Sequence, residues 1–368
     1  MDITRLFRRD LVELRPYEAV DSPASLAEKA GISPERIIKL NGNENPYGPS
    51  LRVQEALGRY RGYHVYPDAQ QRSLRAALEE YTGMPSDHIL VGAGADELID
   101  LLLRATLHPR DRVIDCPPTF GMYSFSTQVN GGTLTSIARD GEYQVDLKRV
   151  KKGIGSKTKA IFLASPNNPT GNLVPAEVVL ALLEEDILVV IDETYYEFSG
   201  HTVASLVDSH PNLVVLRSLS KWAGLAGLRL GYGIMAPRLQ QLLMDIKQPY
   251  NINAAAEVAL LASLRDVAYL RRNVETIVQE RERLFSKLAL LPGLRPRPSL
   301  GNFLLCDVVH GEAPQVFQGL VRRGIFVRYF DTPRLRDSIR ISVGRPEHTD
   351  ALVEALEQIF KELEIGRP

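Results

Sequence analysis

The sequence contains few of the features that mark secreted, metal-binding or membrane proteins. It has two cysteines in 368 residues, Cys116 and Cys306. Both adjoin apolar stretches, so we expect buried thiols in a reducing compartment rather than a disulfide framework. The seven histidines show no metal-ligand spacing, which predicts no metal site. No apolar run approaches the roughly 20 residues that a membrane span requires.

The chain also has no large excess of positive or negative charge. The net charge is −1 and both signs are mixed along the chain, so no basic stripe indicates binding to nucleic acid. Residues 1–10 lack the apolar core of a signal peptide. Hydrophobic residues make up 44% and charged residues 24%, which is ordinary for a globular protein. We therefore expect a cytoplasmic protein that acts on small molecules, with neither nucleic acid nor membrane as a partner.

Apolar strands alternate with amphipathic helices through the middle of the chain. Such alternation, with strands that are apolar throughout, favours a mainly parallel sheet with helices on both faces. The predicted fold class is therefore α/β, with a second, smaller α+β domain. The strands are predicted at 88–91, 112–116, 159–164 and 188–191, and the helices at 95–105 and 174–184.

The chain divides into three predicted parts. Residues 1–40 form an arm, with one short helix over 23–30, that associates with the small domain. Residues 41–250 form the large domain and begin with a turn-rich segment over 41–48. Residues 251–368 supply a long connecting helix and the small domain. Within this last part, the connecting helix is predicted at 254–290, and short strands and helices follow at 302–306, 314–323, 325–330, 338–343 and 348–362.

One lysine stands between small hydroxyl residues after an apolar strand, in residues 218–221 (Ser-Leu-Ser-Lys). A partly buried lysine near positive charge can be neutral, and a neutral amine forms a Schiff base with an aldehyde. Ser218, Ser220 and Arg229 suit a phosphate. An aldehyde and a phosphate on one small molecule describe pyridoxal 5'-phosphate (PLP), which a lysine usually anchors. Lys221 is the predicted anchor, and the alternative is a surface lysine at a strand end.

Two further segments support a PLP site. Residues 165–171 (Ser-Pro-Asn-Asn-Pro-Thr-Gly) form a turn at a strand end. The second segment is residues 187–195, in which an apolar strand ends at Asp192. The carboxyl end of such a strand is where open α/β sheets place ligand groups. Asp192 can pair with the protonated pyridine nitrogen, and Asn168 and Tyr195 can hydrogen-bond the phenolic oxygen. Taken singly, the first segment is only a turn and Asp192 only a helix cap.

Residues 91–97 (Val-Gly-Ala-Gly-Ala-Asp-Glu) suggest a rival function. They nearly match a dinucleotide-binding fingerprint, and Asp115 follows about 20 residues later, as a ribose-binding acid does. A nicotinamide-dependent oxidoreductase is thus an alternative. Against it, Glu97 occupies the third glycine position, where helix and strand pack closely. Because a helix start binds any phosphate, we assign the backbone of Ala95 and Asp96 to the PLP phosphate.

Three motifs follow one another along the chain: Asn-Pro-Thr-Gly at 168–171, Asp-Glu-Thr-Tyr at 192–195, and the segment 218–229 that contains Lys221 and Arg229. In this order they are similar to the motifs of the class I and II aminotransferases of fold type I. Finer segments resemble the histidinol-phosphate aminotransferases, and the resemblance runs from about residue 17 to residue 345. It implies reversible, PLP-dependent transamination of L-histidinol phosphate with 2-oxoglutarate, giving imidazole acetol phosphate and glutamate in histidine biosynthesis. The finer segments are 66–68 (Tyr-Pro-Asp), 94–97 (Gly-Ala-Asp-Glu), 116–123 (Cys-Pro-Pro-Thr-Phe-Gly-Met-Tyr) and 225–229 (Leu-Ala-Gly-Leu-Arg).

The resemblance also implies roles for five residues outside the three motifs. Phe120 stacks on the pyridine face, and Tyr66 reaches across a homodimer interface to the partner subunit's PLP phosphate. Arg340 takes the α-carboxylate or the equivalent end of the substrate. Arg328 lies near the substrate's phosphate, and Tyr17 closes over the substrate. The alternatives are a core phenylalanine, a tyrosine in a surface turn, and structural roles for Arg328 and Tyr17.

The predicted catalytic residues are Lys221, Asp192 and Tyr195. Lys221 moves a proton as the general base, Asp192 stabilises the pyridinium charge, and Asn168 also contacts the substrate. Three alternatives stay open within PLP chemistry. They are a lyase similar to threonine-phosphate decarboxylase, an aromatic amino-acid aminotransferase, and a regulatory module that binds PLP without turnover.

Overall fold

A computed structural model describes residues 1–365 of the chain. The last three residues of the predicted third part, 366–368, lie outside the described residues. Within the described range, no helix is both long enough and apolar enough to cross a membrane. The described residues form one seven-stranded sheet, one four-stranded sheet and one two-stranded sheet, with helices around them.

The strands are short, and most of them are buried. They are β1 (Ile38–Lys39), β2 (Ile89–Gly92), β3 (Arg112–Asp115), β4 (Thr133–Ser136), β5 (Thr158–Ala164), β6 (Leu188–Asp192), β7 (Leu213–Ser218), β8 (Gly231–Met235), β9 (Leu294–Pro296), β10 (Phe303–Val308), β11 (Ile325–Phe326), β12 (Arg328–Tyr329) and β13 (Ser338–Ser342).

The helices range from single turns to more than six turns. They are α1 (Arg9–Val12), α2 (Pro23–Ala30), α3 (Leu51–Arg59), α4 (Arg72–Thr82), α5 (Ala95–Thr106), α6 (Met122–Val129), α7 (Leu147–Gly153), α8 (Ala176–Leu183), α9 (Tyr196–Ser199), α10 (Pro237–Ile246), α11 (Ala254–Leu264), α12 (Val267–Ala289), α13 (Ala313–Arg322) and α14 (Pro346–Ile365).

The large sheet has the strand order β2-β8-β7-β6-β5-β3-β4. Strands β3 to β7 pair in parallel, and β8 lies antiparallel between β2 and β7. Successive residues of one strand join different apolar clusters: Val189 belongs to one core and Val190 to the other. Both faces of the sheet are therefore covered, which explains why its strands are apolar throughout rather than alternating. The α/β prediction is confirmed.

The second part of the molecule is built on an antiparallel sheet of order β12-β13-β10-β9. Helix α13 packs against β13 and against α14. The short strand β1, within the predicted arm, pairs in parallel with β11, so that Ile38 lies opposite Ile325. This pairing links the arm to the C-terminal elements. The exact boundaries of the three predicted parts stay a prediction.

Two predicted elements differ from the structure. The long helical region predicted at about 254–290 is helical, but it is divided into two helices, α11 and α12, separated at Arg265 and Asp266. Asp266 has non-helical angles (φ −126°, ψ 28°) as the residue before α12, and aspartate favours helix starts over helix interiors. The single strand over 325–330 is wrong: Val327 separates β11 from β12, and the two strands join different sheets.

Gly224 brings two loops into close contact next to Lys221. Its φ is +68°, and a Cβ atom at this position would lie 2.4 Å from the carbonyl carbon of Gly48 and 2.7 Å from the nitrogen of Pro49. Neither neighbour is a side chain that could turn away, because both atoms belong to the backbone. The loop after β7 and the segment over 41–48 can therefore approach this closely only if residue 224 is glycine.

We expect Gly224→Ala to destabilise the protein by about 2–4 kcal/mol, because it adds left-handed strain and an overpacked contact. The measurement is the midpoint of chemical unfolding of the cofactor-free protein. Gly227→Ala is the matched control: it lies in the same loop, and its Cβ would meet nothing within 4 Å. Its cost should stay within about 0.5 kcal/mol. Equal midpoints for the two variants would contradict the close-contact argument.

Candidate active site

The predicted site residues meet at the carboxyl edge of the large sheet. Asp192 ends β6, Lys221 follows β7 and Asn168 follows β5, so parallel pairing places all three at the same edge. They surround a cavity of about 200 Å³. All the predicted residues except Arg328 and Tyr66 line it: Tyr17, Ala95, Asp96, Phe120, Asn168, Asp192, Tyr195, Ser218, Ser220, Lys221, Arg229 and Arg340.

Lys221 directs its amine into the site, where Nζ donates a hydrogen bond to the carbonyl of Gly42 at 2.9 Å. Burial lowers the pKa of Lys221 to about 8, and the positive charge of Arg340 adds to this effect. Glu44 acts in the opposite direction. At neutral pH a useful fraction of the amine is therefore unprotonated and able to act as a nucleophile or a base.

Asp192 is buried and held at both oxygens. Oδ2 accepts a hydrogen bond from the hydroxyl of Tyr123 at 2.7 Å, and Oδ1 accepts one from the backbone N–H of Thr194 at 3.0 Å. Burial raises the pKa of Asp192, while these hydrogen bonds favour its charged form. A buried carboxylate is stabilised further by a cationic partner, which is what a protonated pyridine nitrogen offers.

Donors suited to a phosphate gather at the start of α5. Gly94 precedes the helix with φ +83°, and a Cβ atom there would lie 2.5 Å from Arg229 Nη2. The same nitrogen of Arg229 forms an ion pair with Asp96 Oδ2 at 2.8 Å. Ser220 Oγ is buried, and no described group hydrogen-bonds to it. A free hydroxyl, an arginine and the unpaired backbone N–H groups of a helix start form the donor set that phosphate prefers.

Glu97, which argued against a dinucleotide fingerprint, closes the start of this helix. Its Oε2 accepts hydrogen bonds from the backbone N–H of Ala93 at 2.5 Å and from Asn251 Nδ2 at 2.8 Å. The side chain thus holds the loop before α5 and ties it to the residues before α11.

Arg340 also lines the cavity. Its Nη1 donates to Asn168 Oδ1 and its Nη2 to the carbonyl of Asn41, each at 2.6 Å. No described carboxylate forms an ion pair with it, and its buried Nε has no described partner. Burial lowers the pKa of Arg340 to about 10. An anionic ligand would stabilise this charge.

A wider cavity of about 830 Å³ adjoins the first and contains Arg328. Arg328 Nη2 donates to the carbonyl of Glu18 at 3.2 Å and lies 3.4 Å from its carboxylate. Tyr17 lines both cavities and meets the ring of Phe120 edge to face, with the ring centroids 6.2 Å apart. A further arginine that sequence reasoning missed, Arg334, also lines the wider cavity.

Tyr66 is not part of the cavity in its own chain. Its side chain is 77% exposed, and its ring stacks on that of Tyr250 with the centroids 4.4 Å apart. Tyr63 and Val65 beside it are also exposed. The structure thus places Tyr66 on an apolar surface patch, and its role toward another subunit stays a prediction.

Besides Arg334, two residues that hold the site together were missed in the sequence. Tyr123 was noted only within a family segment, yet it holds Asp192. Asn43 was interpreted only as part of a turn-rich segment, yet its Nδ2 donates to the hydroxyl of Tyr195 at 2.9 Å. Burial raises the pKa of Tyr195 to about 12. The cluster of three asparagines over 41–45 was the available signal, since buried amides mark hydrogen-bond networks.

The chemical groups around the cavity fit PLP. Lys221 offers an amine for the aldehyde, and Asp192 offers a carboxylate for the ring nitrogen. Ser220 Oγ and the start of α5 offer phosphate donors that no described group uses. Tyr195 and Asn168 line the same cavity.

Comparison with known proteins agrees with this geometry. Residues 35–356 match the model of the family "Aminotransferase class I and II". Two similar proteins carry the name histidinol-phosphate aminotransferase. The one from Roseiflexus castenholzii is 48% identical over 97% of this chain and 99% of its own length. The one from Dehalococcoides mccartyi is 45% identical over 96% of this chain and 98% of its own.

A solved structure is also similar throughout. The histidinol-phosphate aminotransferase of Sinorhizobium meliloti, determined in complex with pyridoxal-5'-phosphate, superposes with a TM-score of 0.88. The match covers 97% of this chain and 98% of that one, at 27% sequence identity.

The lowered pKa of Lys221 predicts how the cofactor-free protein takes up PLP. Its association rate should rise with pH and level off above a midpoint near 8, because only the unprotonated amine attacks the aldehyde. An exposed lysine would keep gaining rate up to about pH 10.4. Stopped-flow absorbance measures the rate, and Lys221→Ala gives the background.

Arg340→Gln is the control for the cause of this shift. The midpoint should move upward in this variant, because a positive charge that disfavours the protonated amine is removed. A rate that climbs to about pH 10 in the unsubstituted protein would show that the amine is not desolvated.

Proposed function

Because this chain belongs to the aminotransferase class I and II family, we propose that it is a PLP-dependent transaminase acting on L-histidinol phosphate and 2-oxoglutarate. The products are imidazole acetol phosphate and glutamate, and the reaction belongs to histidine biosynthesis. The observation that carries this proposal is the desolvated amine of Lys221, which shares one cavity with Asp192 and unused phosphate donors. Relatives that are 45–48% identical support the substrate.

Lys221 is the residue that moves the proton. When bound, PLP supplies a ring that withdraws the electron pair left on the reacting carbon. Lys221 Nζ takes the proton from the carbon that bears the substrate's amine, and it later returns a proton on the product side. A pKa of about 8 suits both directions, since protonated and neutral forms coexist near neutral pH.

Asp192 keeps the ring nitrogen protonated, which maintains the ring as an electron acceptor. The hydroxyl of Tyr123 and the N–H of Thr194 fix the orientation of its carboxylate. Arg229, Ser218, Ser220 and the backbone of Ala95 and Asp96 bind the phosphate, and Phe120 stacks on the ring. Tyr195 and Asn168 bind the phenolic oxygen.

Two arginines suit a pocket that must bind different anions in the two half-reactions. Arg340 has no carboxylate partner in the described chain, and Arg328 faces the wider cavity with only the exposed Glu18 as a partner. L-Histidinol phosphate brings a phosphate and no α-carboxylate, whereas 2-oxoglutarate brings two carboxylates. Tyr17, half-exposed between the cavities, closes over either substrate.

The active unit is a homodimer in this proposal. Tyr66 extends from an exposed apolar patch to the PLP phosphate of the partner subunit, which completes each site across a two-fold interface. Support comes from its 77% exposure next to exposed Tyr63 and Val65, since large apolar side chains grouped on a surface mark interaction sites.

A cytoplasmic location is supported by the buried free thiols of Cys116 and Cys306, which suit a reducing compartment.

The substrate assignment predicts that the phosphate of the amino donor is essential. Histidinol should react far more slowly than histidinol phosphate, by more than the roughly tenfold that one weak contact provides. Arg328→Ala should shrink this preference, because it removes a charge that the phosphate needs. Initial rates of glutamate formation measure both effects.

Arg336→Ala is the matched control, since Arg336 is exposed on the same segment and lies outside the lining of either cavity. It should leave the preference unchanged. Equal rates for the two donors, or a strong preference for phenylalanine, would move the assignment to an aromatic aminotransferase. Release of CO2 from threonine phosphate would identify a decarboxylase instead.

Shared sites predict complementation between two impaired subunits. Lys221→Ala should abolish turnover, and Tyr66→Phe should weaken PLP binding more than about tenfold, because a hydrogen bond to a charged group is lost. In the hybrid dimer, the Lys221→Ala subunit supplies Tyr66 to the site that retains Lys221. At limiting PLP, the mixed sample should exceed the average activity of the separate parents. Activity equal to that average would exclude a shared site.

A further inference from the structure

A closed set of hydrogen bonds fixes how the amide of Asn43 is oriented. The backbone N–H of Asn43 donates to Ser342 Oγ at 2.8 Å, and this hydroxyl donates its single proton to Asn43 Oδ1, also at 2.8 Å. If the amide were turned over, the proton of Ser342 would have no acceptor within the described residues. Oδ1 therefore faces Ser342, and Nδ2 faces the hydroxyl of Tyr195 at 2.9 Å.

This orientation determines where the proton of Tyr195 points. A phenol has one proton to donate, and Asn43 approaches its oxygen as a donor. The proton of Tyr195 must therefore point away from Asn43. Elsewhere in the described chain no group accepts it, and both side chains line the cavity that also holds Lys221. The free proton of Tyr195 is thus directed into that cavity.

The backbone of Asn43 supports a functional role for the residue. Its φ is +52°, a left-handed conformation in which asparagine is several-fold enriched over most other residues. The side chain is 1% exposed, and the carbonyl accepts a hydrogen bond from Asn302 Nδ2 at 2.9 Å. Strained backbone that is held by several surrounding contacts is concentrated at functional sites.

We propose that Asn43 is a positioning residue that directs the proton of Tyr195 toward the phenolic oxygen of bound PLP. This inference rests on the proposed function. By donating to the tyrosine oxygen, Asn43 makes the phenol a stronger donor, because hydrogen bonds in a chain polarise one another. The phenolic oxygen of the cofactor is then stabilised as an anion, and the Lys221-linked nitrogen loses its proton at a lower pH.

Other charged groups act on the same site and stay constant in the test. Arg340 favours the anionic form of Tyr195, whereas Asp192 and Tyr17 oppose it. On the lysine side, the positive charges of Arg340, Lys39 and Arg229 oppose protonation of the amine, and Glu44 favours it. None of these residues is altered by a substitution at position 43, so a shift caused by an uncharged substitution there reports the hydrogen bond.

The test is a spectrophotometric pH titration of the PLP-loaded protein. The quantity measured is the spectral midpoint, the pH at which the yellow protonated form of the Lys221-linked cofactor is half converted. Asn43→Gly, which keeps the left-handed backbone, should raise this midpoint by about half a unit to one unit. Asn43→Asp should raise it further. Its carboxylate still accepts from Ser342, but it also accepts the proton of Tyr195.

A double-mutant cycle separates this role from a structural one. In a Tyr195→Phe background there is no hydroxyl to direct, so Asn43→Gly should leave the midpoint of that background unchanged. Asn45→Ala is the matched control from the same segment, because the amide of Asn45 donates to the carbonyl of Trp222 at 2.9 Å instead. Its midpoint should equal that of the unsubstituted protein.

Two results would overturn the inference alone. One is an unchanged midpoint in both position-43 variants with PLP bound, and the other is an equal shift of Asn43→Gly in the Tyr and Phe backgrounds. An unsubstituted protein that forms no yellow species with PLP would contradict the proposed function as well, so the two failures are distinguishable.

Discussion

Parallel pairing of β5, β6 and β7 is the constraint on which the site depends. Side by side and in one direction, these strands deliver Asn168, Asp192 and Lys221 to a single edge of the sheet. Because both faces are covered by apolar clusters, a one-residue shift of a strand would move each of its side chains into the opposite cluster and disrupt the close packing of both. The positions of the three side chains are therefore set by the same packing that stabilises the fold.

Electrostatic balance is the second level of organisation. The cavity combines a lysine and an arginine whose pKa values are lowered by burial with an aspartate whose pKa is raised. Each of these groups is costly to bury in its charged form. A ligand with an aldehyde and a protonatable ring offsets the costs at the lysine and the aspartate, and an anionic substrate offsets the cost at the arginine. Ligand binding and stability of the site are therefore coupled.

Site residues that follow strands can be predicted from the sequence, because an apolar run and the polar residue that ends it are adjacent in the chain. Lys221 and Asp192 are of this kind. Asn43 and Tyr123 were missed because their partners, Tyr195 and Asp192, lie 152 and 69 residues away, and no local pattern encodes such pairs. The break between α11 and α12 was missed for the opposite reason: apolar periodicity continues across it, and only backbone angles at Asp266 interrupt the helix.

The contacts of the segment over 41–45 also constrain how many residues this segment can contain. The carbonyl of Asn41 accepts a hydrogen bond from Arg340, and that of Gly42 accepts one from Lys221. The side-chain amide of Asn43 donates to the hydroxyl of Tyr195, and that of Asn45 donates to the carbonyl of Trp222. Most loops tolerate inserted residues because few buried groups depend on them. Here a single inserted or deleted residue would displace four contacts at once. Homologous proteins that keep this site should therefore vary in the residues of this loop before they vary in its length.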